Sequence, residues 1–166
     1  MKKILFSLAL VIAGLTNVNA QQGHFKVGAH VGLPTGNLSE AYSLNLGADL
    51  AYLWKINDIV ELGATTGISN YFGKNIDFMG YDIEVEDVQI IPLAATAKFN
   101  IAQRFFVGAD LGYAFFLGES EDTGSFYYQP KIGYDFNKSE VYLGYKGMSE
   151  DGYNVGSINL GYAYNF

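Results

Sequence analysis

The stretch Phe105-Phe106-Val107-Gly108-Ala109-Asp110-Leu111-Gly112-Tyr113-Ala114-Phe115-Phe116-Leu117 carries an apolar residue at every odd position, while its even positions include Gly108, Asp110 and Gly112. A period of two belongs to a β-strand, whose side chains alternate between faces. The helical period of 3.6 is absent. One face of this strand is therefore a row of Phe, Val, Ala, Leu and Tyr, and the other is small or charged between Phe106 and Phe116.

The same pattern recurs along the chain. Apolar rows run from Phe25 to Leu33, Tyr42 to Trp54, Val60 to Ile68, Ile91 to Phe99, Phe105 to Leu117, Phe126 to Phe136, Val141 to Tyr145 and Ile158 to Phe166, each read at every second residue. Only Thr66 and Pro130 on these rows fall outside the apolar set, and no charge lies on them. The interleaved positions hold Lys26, Asp49, Glu61, Lys98, Asp110, Lys131 and Asp135 among many glycines, with Leu53, Phe106, Phe116, Tyr127 and Tyr142 as the bulky exceptions.

Eight alternating antiparallel strands suit two architectures, which put the apolar face on opposite sides. A soluble ligand-binding barrel turns its apolar rows inward, whereas a membrane barrel turns them out. The interior of eight strands is only wide enough to be filled by side chains, and it cannot take every Phe, Tyr and Leu of these rows. The aromatic rows must face outward, where water would make them an aggregation hazard and lipid accepts them. The expected fold is an all-β, eight-stranded antiparallel up-and-down transmembrane barrel.

Composition agrees. The 166 residues hold 49% apolar and 16% charged residues with 20 Gly, 13 Tyr and 12 Phe, too apolar and aromatic for a disordered chain. A formal charge of −7 disfavours binding to nucleic acid. The absence of Cys removes disulfides, thiolate chemistry and a lipidated Cys anchor.

Residues 1–20 have the layout of a secretory signal: Lys2 and Lys3, an apolar run from Ile4 to Leu15, and a small-residue end at Ala20. At 1.5 Å per residue such a run covers roughly 18 Å as a helix, short of the ~30 Å hydrocarbon core. Cleavage after Ala20 is expected, leaving a barrel domain at 21–166. Loss of Lys2 and Lys3 takes the formal charge from −7 to −9.

Connections alternate between long and short. Short links are expected at Lys55–Asp58, Asn100–Arg104 and Asn137–Ser139, and long ones at Pro34–Ala41, Gly73–Asp87, Gly118–Ser125 and Lys146–Asn154. In outer-membrane barrels the short turns are periplasmic and the long loops extracellular, so both termini are expected in the periplasm. Trp54, Phe99, Phe105, Phe136 and Phe166 at one edge, with Tyr42, Phe115, Phe126 and Tyr128 toward the other, are candidate interface girdles.

With the leader, eight alternating strands and the end Leu160-Gly161-Tyr162-Ala163-Tyr164-Asn165-Phe166, the chain resembles the small OmpA/OmpX-like outer-membrane barrel proteins of Gram-negative bacteria. The resemblance implies that Tyr162, Tyr164 and Phe166 form the signal read by the barrel-assembly machinery. It implies fold and location more than chemistry.

The near-balanced interior charges point to pairing that closes the lumen, since unpaired charges in a narrow interior are costly. His24 and His30 share the inward face of the first strand, and core roles are expected for both. Lipid A modifying barrels of this size use a His with a Ser and an acid near the outer rim. A catalytic reading therefore requires His30 within hydrogen-bond reach of such a pair near the outer leaflet.

Acidity collects in the long connections, at Asp82, Glu84, Glu86 and Asp87, and at Glu119, Glu121 and Asp122, opposed mainly by Lys74. Clustered carboxylates attract hard divalent cations, which could bridge to lipopolysaccharide phosphates, although no spacing resembles an EF-hand. The alternating segment from Tyr81 to Glu86 also suggests that strands three and four extend upward as a hairpin.

The expected function is a monomeric, non-enzymatic structural or surface-interaction protein with a side-chain-plugged lumen, no cofactor, and lipid and lipopolysaccharide as its surroundings. The alternative is a small porin-like channel or transporter for modest solutes.

Overall fold

A computed structural model describes residues 23–78, 81–117, 124–150 and 153–166. The elements are β1 (Gly23–Thr35), α1 (Leu38–Ala41), β2 (Tyr42–Lys55), β3 (Val60–Gly73), β4 (Asn75–Phe78), β5 (Tyr81–Glu84), β6 (Val88–Asn100), β7 (Phe105–Leu117), β8 (Gly124–Phe136), β9 (Ser139–Glu150) and β10 (Tyr153–Asn165). Eight of the strands close into an antiparallel barrel in the order β1-β10-β9-β8-β7-β6-β3-β2, while β4 and β5 form a separate two-stranded sheet.

The outward rows are those read from the sequence. Phe25, Leu50, Leu93, Leu111, Ile132 and Leu160 are exposed around the wall, each between 43% and 58%. A row of that size belongs in lipid. Thirteen residues at ~3.3 Å each, tilted ~40°, rise roughly 33 Å, more than the ~25 Å apolar band of an outer-membrane barrel. Aromatic contacts gather at one edge, where Tyr52 packs edge-on against Phe25 and Trp54, and Tyr134 packs against Phe105 and Phe136.

That edge carries both ends of the barrel strands and the short links after β2, β6 and β8. It is the turn end. The last of these links contains Asn137 at φ 67, the left-handed conformation that Asn tolerates in a tight hairpin turn. The opposite rim, with the remaining connections, is the loop end.

Two expectations at the loop end need correction. The segment expected as a loop from Lys146 to Asn154 is mostly strand: β9 continues to Glu150 and pairs with β10 down to Tyr153. Lys146 reads as a loop residue only if a lumen is forgotten, because inward positions of a barrel are polar. The first long connection is likewise shortened, since Pro34 and Thr35 still pair with Ser157 and Gly156 before the single helical turn of α1.

The hairpin expected after β3 is present as β4 and β5, with Asn75 opposite Glu84 and Asp77 opposite Asp82. Lys74 anchors the hairpin's base. Its Nζ donates to the Ser39 carbonyl at 2.7 Å, and its backbone N–H to Ala41 at 2.9 Å, tying α1 to the base of the hairpin.

Candidate functional site: the charged lumen

The closed barrel turns the inward face of every strand onto one axis, so residues far apart in sequence meet there. Glycines on that face make room for the long side chains. A Cβ at Gly47 would strike the His30 ring, and one at Gly161 the Tyr142 ring.

From the turn end, the lumen opens as a vestibule of about 570 Å³ lined by His24, Glu61, Lys98, Arg104 and Asp135, with the amides of Gln103, Asn137 and Asn165. At its floor Lys98 bonds Asp135 at 2.8 Å and Glu140 at 2.9 Å, and its ammonium lies 4.2 Å from the centre of the Phe106 ring. Glu140 also accepts from Lys26 through both oxygens at 2.8 Å, so one carboxylate holds two lysines from opposite walls. Charge-assisted bonds of this length are the strong ones.

Above this lies the pair Lys131–Asp110, at 2.8 Å. Higher still, Lys146 is fully buried and donates to His30 Nε2 at 2.9 Å and Ser69 Oγ at 2.8 Å. An ammonium only donates, so Nε2 accepts and the imidazole proton sits on Nδ1, which donates to Asp49 at 2.7 Å. Tyr142 donates its hydroxyl to the same Asp49 oxygen at 3.0 Å. Next come Asn45, Ser157 and Tyr71, linked by side-chain bonds. An apolar cluster of Tyr71, Ile90, Ala94, Ala114, Tyr127 and Met148 then fills the barrel toward the loop end, with Leu38 of α1 and Phe116 packed against it.

Of the interior charges read from the sequence, Lys26, Asp49, Lys98, Asp110, Lys131 and Asp135 belong to these networks. Glu61 faces the vestibule but joins no lysine. Its nearest cationic candidate is His24 at 3.8 Å, and Asn100 reaches it only at 3.5 Å. Two acids of that set thus meet none of its three lysines: Glu61, and Asp49, which is bonded by His30 and Tyr142 with Lys146 at 3.9 Å. Sequence reading missed Glu140 and Lys146, two of the most connected charges. Strand parity could have found them, because Glu140 precedes Val141 and Lys146 follows Tyr145 on the inward face.

His30, Ser69 and Asp49 meet the distance condition for a relay, with His30 Nε2 at 3.1 Å from Ser69 Oγ. They do not meet the access condition. Ser69 is 1% exposed, lies inside the barrel away from lipid, and has Lys146 bonded both to its oxygen and to the ring nitrogen that would act as base. The cluster is a clamp across the lumen.

Of the acids in the long connections, Asp87 is the one whose bonding the structure describes. Asp87 is engaged through both oxygens, by Asn70 Nδ2 and the Gly73 N–H, each at 2.9 Å, and these bonds hold its carboxyl below the usual carboxylate range. Among the described residues no three His, Asp or Glu side chains converge as a metal site would require. Glu119, Glu121 and Asp122 lie outside the described residues, as does the leader at 1–20. Tyr162 and Phe166 stand exposed on the outer wall, with Tyr164 beside them 5.0 Å from the Phe166 ring, and the Phe166 N–H donates to the Phe25 carbonyl at 2.9 Å.

No family model matches the chain, and no curated protein does. Solved structures do. Yersinia pestis outer membrane protein Ail in a phospholipid bilayer nanodisc aligns over 87% of this chain and 100% of its own, with a TM-score of 0.59 and 18% identity. A de novo designed transmembrane β-barrel covers 89% of this chain and 98% of its own, at 0.55 and 10% identity. Neisserial surface protein A covers 87% and 97%, at 0.52 and 13% identity. The shared property is the fold, an eight-stranded antiparallel barrel of the membrane-spanning kind.

Proposed function

We propose that this chain is an outer-membrane barrel of a Gram-negative bacterium, of the OmpA/OmpX-like kind, that works as a structural or surface-interaction protein and not as an enzyme. The observation that carries this reading is the opposition of its two surfaces. The outer wall is an uncharged apolar belt, while the lumen is crossed by ion pairs from Lys98–Asp135 to Lys146–Asp49 and filled by an apolar cap beyond them. A path for solutes ends at Lys98.

The turn end faces the periplasm in this reading, with both ends of the barrel, and the loop end faces out among lipopolysaccharide. One structural neighbour is described as the attachment invasion locus protein of Yersinia pestis. Attachment at the loop end is the corresponding role here. Tyr162, Tyr164 and Phe166 are the residues the barrel-assembly machinery would read, and a monomer is the working state because the barrel closes without a partner strand.

Planar-bilayer recording of the refolded protein tests the closed lumen. Silence is expected. Steady, reproducible unitary steps would replace this reading with the channel reading, for which the vestibule is the specific supporting feature.

A further inference from the structure

Midway along the lumen, between the Lys98–Glu140 floor and the Lys146 clamp, lies a cavity of about 30 Å³. Asp110 and Gln129 both line it, and they are direct cross-strand partners on β7 and β8. Directly opposed side chains of a sheet lie close enough to interact. Here they are drawn apart. Lys131 holds Asp110 Oδ2 at 2.8 Å, and the Tyr127 hydroxyl donates to Gln129 Oε1 at 2.7 Å. What remains is Asp110 Oδ1, an acceptor, and Gln129 Nε2, a donor. Both are buried without a protein partner, on residues 2% and 3% exposed.

We propose that this cavity is a binding site for internal water, about two molecules at the ~10–15 Å³ that each needs. One water accepts from Gln129 Nε2 and donates to Asp110 Oδ1, closing the gap that the two flanking bonds open. The charge inventory selects water over an ion. Each carboxylate on the wall already faces a donor: Asp110 has Lys131, Glu140 has Lys26 and Lys98, and Asp49 has His30 and Tyr142. A neutral ligand that both donates and accepts is what the two leftover atoms require. The site goes beyond the closed-lumen reading and does not depend on it, since its two leftover atoms sit on buried residues of the barrel wall.

Oxygen-17 magnetic relaxation dispersion on the full chain refolded in detergent micelles reads such water directly. The expected result is a long-lived contribution equivalent to about two molecules, lost in Gln129→Leu, which removes the donor, and in Ala163→Val, which fills the cavity without touching a polar group. A wild-type protein with no long-lived water overturns the proposal. So does a contribution that survives in either folded variant, or one that changes when sodium is replaced by caesium or chloride by acetate, which would mark an ion. Bilayer recording on the same preparation keeps the two ideas apart: conduction with long-lived water sinks only the closed lumen, and silence without it sinks only the water site.

Discussion

In the proposed reading the two halves of the lumen are closed by different chemistry. At the turn end the closure is ionic and wet: Glu140 holds Lys26 and Lys98 beneath a vestibule of about 570 Å³. At the loop end it is dry, built from Ile90, Tyr127, Met148 and their neighbours. An ionic closure depends on every partner being present, because a buried charge left alone is expensive. An apolar one degrades in proportion to the volume removed. The difference gives each end its own failure mode.

The largest effect is expected from Glu140→Gln. It leaves Lys26 without its carboxylate partner and Lys98 with only Asp135, so a loss of about 3–5 kcal/mol is expected, the range for breaking a buried pair by removing one partner. Urea unfolding from lipid vesicles, followed through the single Trp54, measures it. A loss below about 1 kcal/mol would mean that the turn-end network is hydrated enough to behave like a surface ion pair, and the contrast between the halves would vanish.

Ile90→Ala probes the other end. Ile90 is fully buried in the cap, and truncation there should cost about 2–5 kcal/mol by cavity formation. The same unfolding assay applies, paired with amide exchange. Faster exchange is expected in β6 and β7 near the loop end, with the Lys26–Glu140 level unchanged. Equal loosening at both levels would show that the halves act as one unit.

How far these two regions could be read from the chain follows from what each is made of. The outer wall was fully legible, because lipid imposes one rule on every outward position and Phe105 to Leu117 obeys it without interruption. The lumen was legible by residue type but not by partner. Alternation says that Lys26 and Lys98 point inward, yet nothing local says that both meet Glu140, more than forty residues beyond Lys98 and on the far side of the barrel. Lys146 was lost for a different reason: a lysine after a short apolar row resembles the start of a loop, and the strand is sustained past it by pairing with β10. The clamp of His30, Ser69 and Asp49 combines three strands, and a closed sheet is needed to bring them together.

Removing Phe166 tests the outer side of the turn end. Its N–H ties β10 to Phe25 where the barrel closes, and its ring packs on Tyr164. Deletion should lower the folded, membrane-inserted fraction in cells several-fold, read by heat-modifiable gel mobility, while refolding of the purified variant into detergent stays largely intact. Unchanged insertion in cells would remove Tyr162, Tyr164 and Phe166 from any assembly role.

The smallest effect is expected at the base of the loop-end hairpin. Asp87 is fully exposed, and the amides of Asn70 and Gly73 favour its charged form, which lowers its pKa in the folded state. Since the folded value lies below the unfolded one, the stabilisation is present above the ordinary carboxylate pKa of about 3.9 and disappears as pH falls through the folded value. Acidification should therefore shift the Gly73 amide resonance in step with Asp87, releasing β3 from its link to the hairpin. Asp87→Asn should abolish that titration with little change in global unfolding, because the group is solvated. A Gly73 titration midpoint at or above the ordinary carboxylate value would show that the two amides do not hold this carboxylate. The hairpin base would then be fastened through the bonds of Lys74 to Ser39 and Ala41 and not through Asp87.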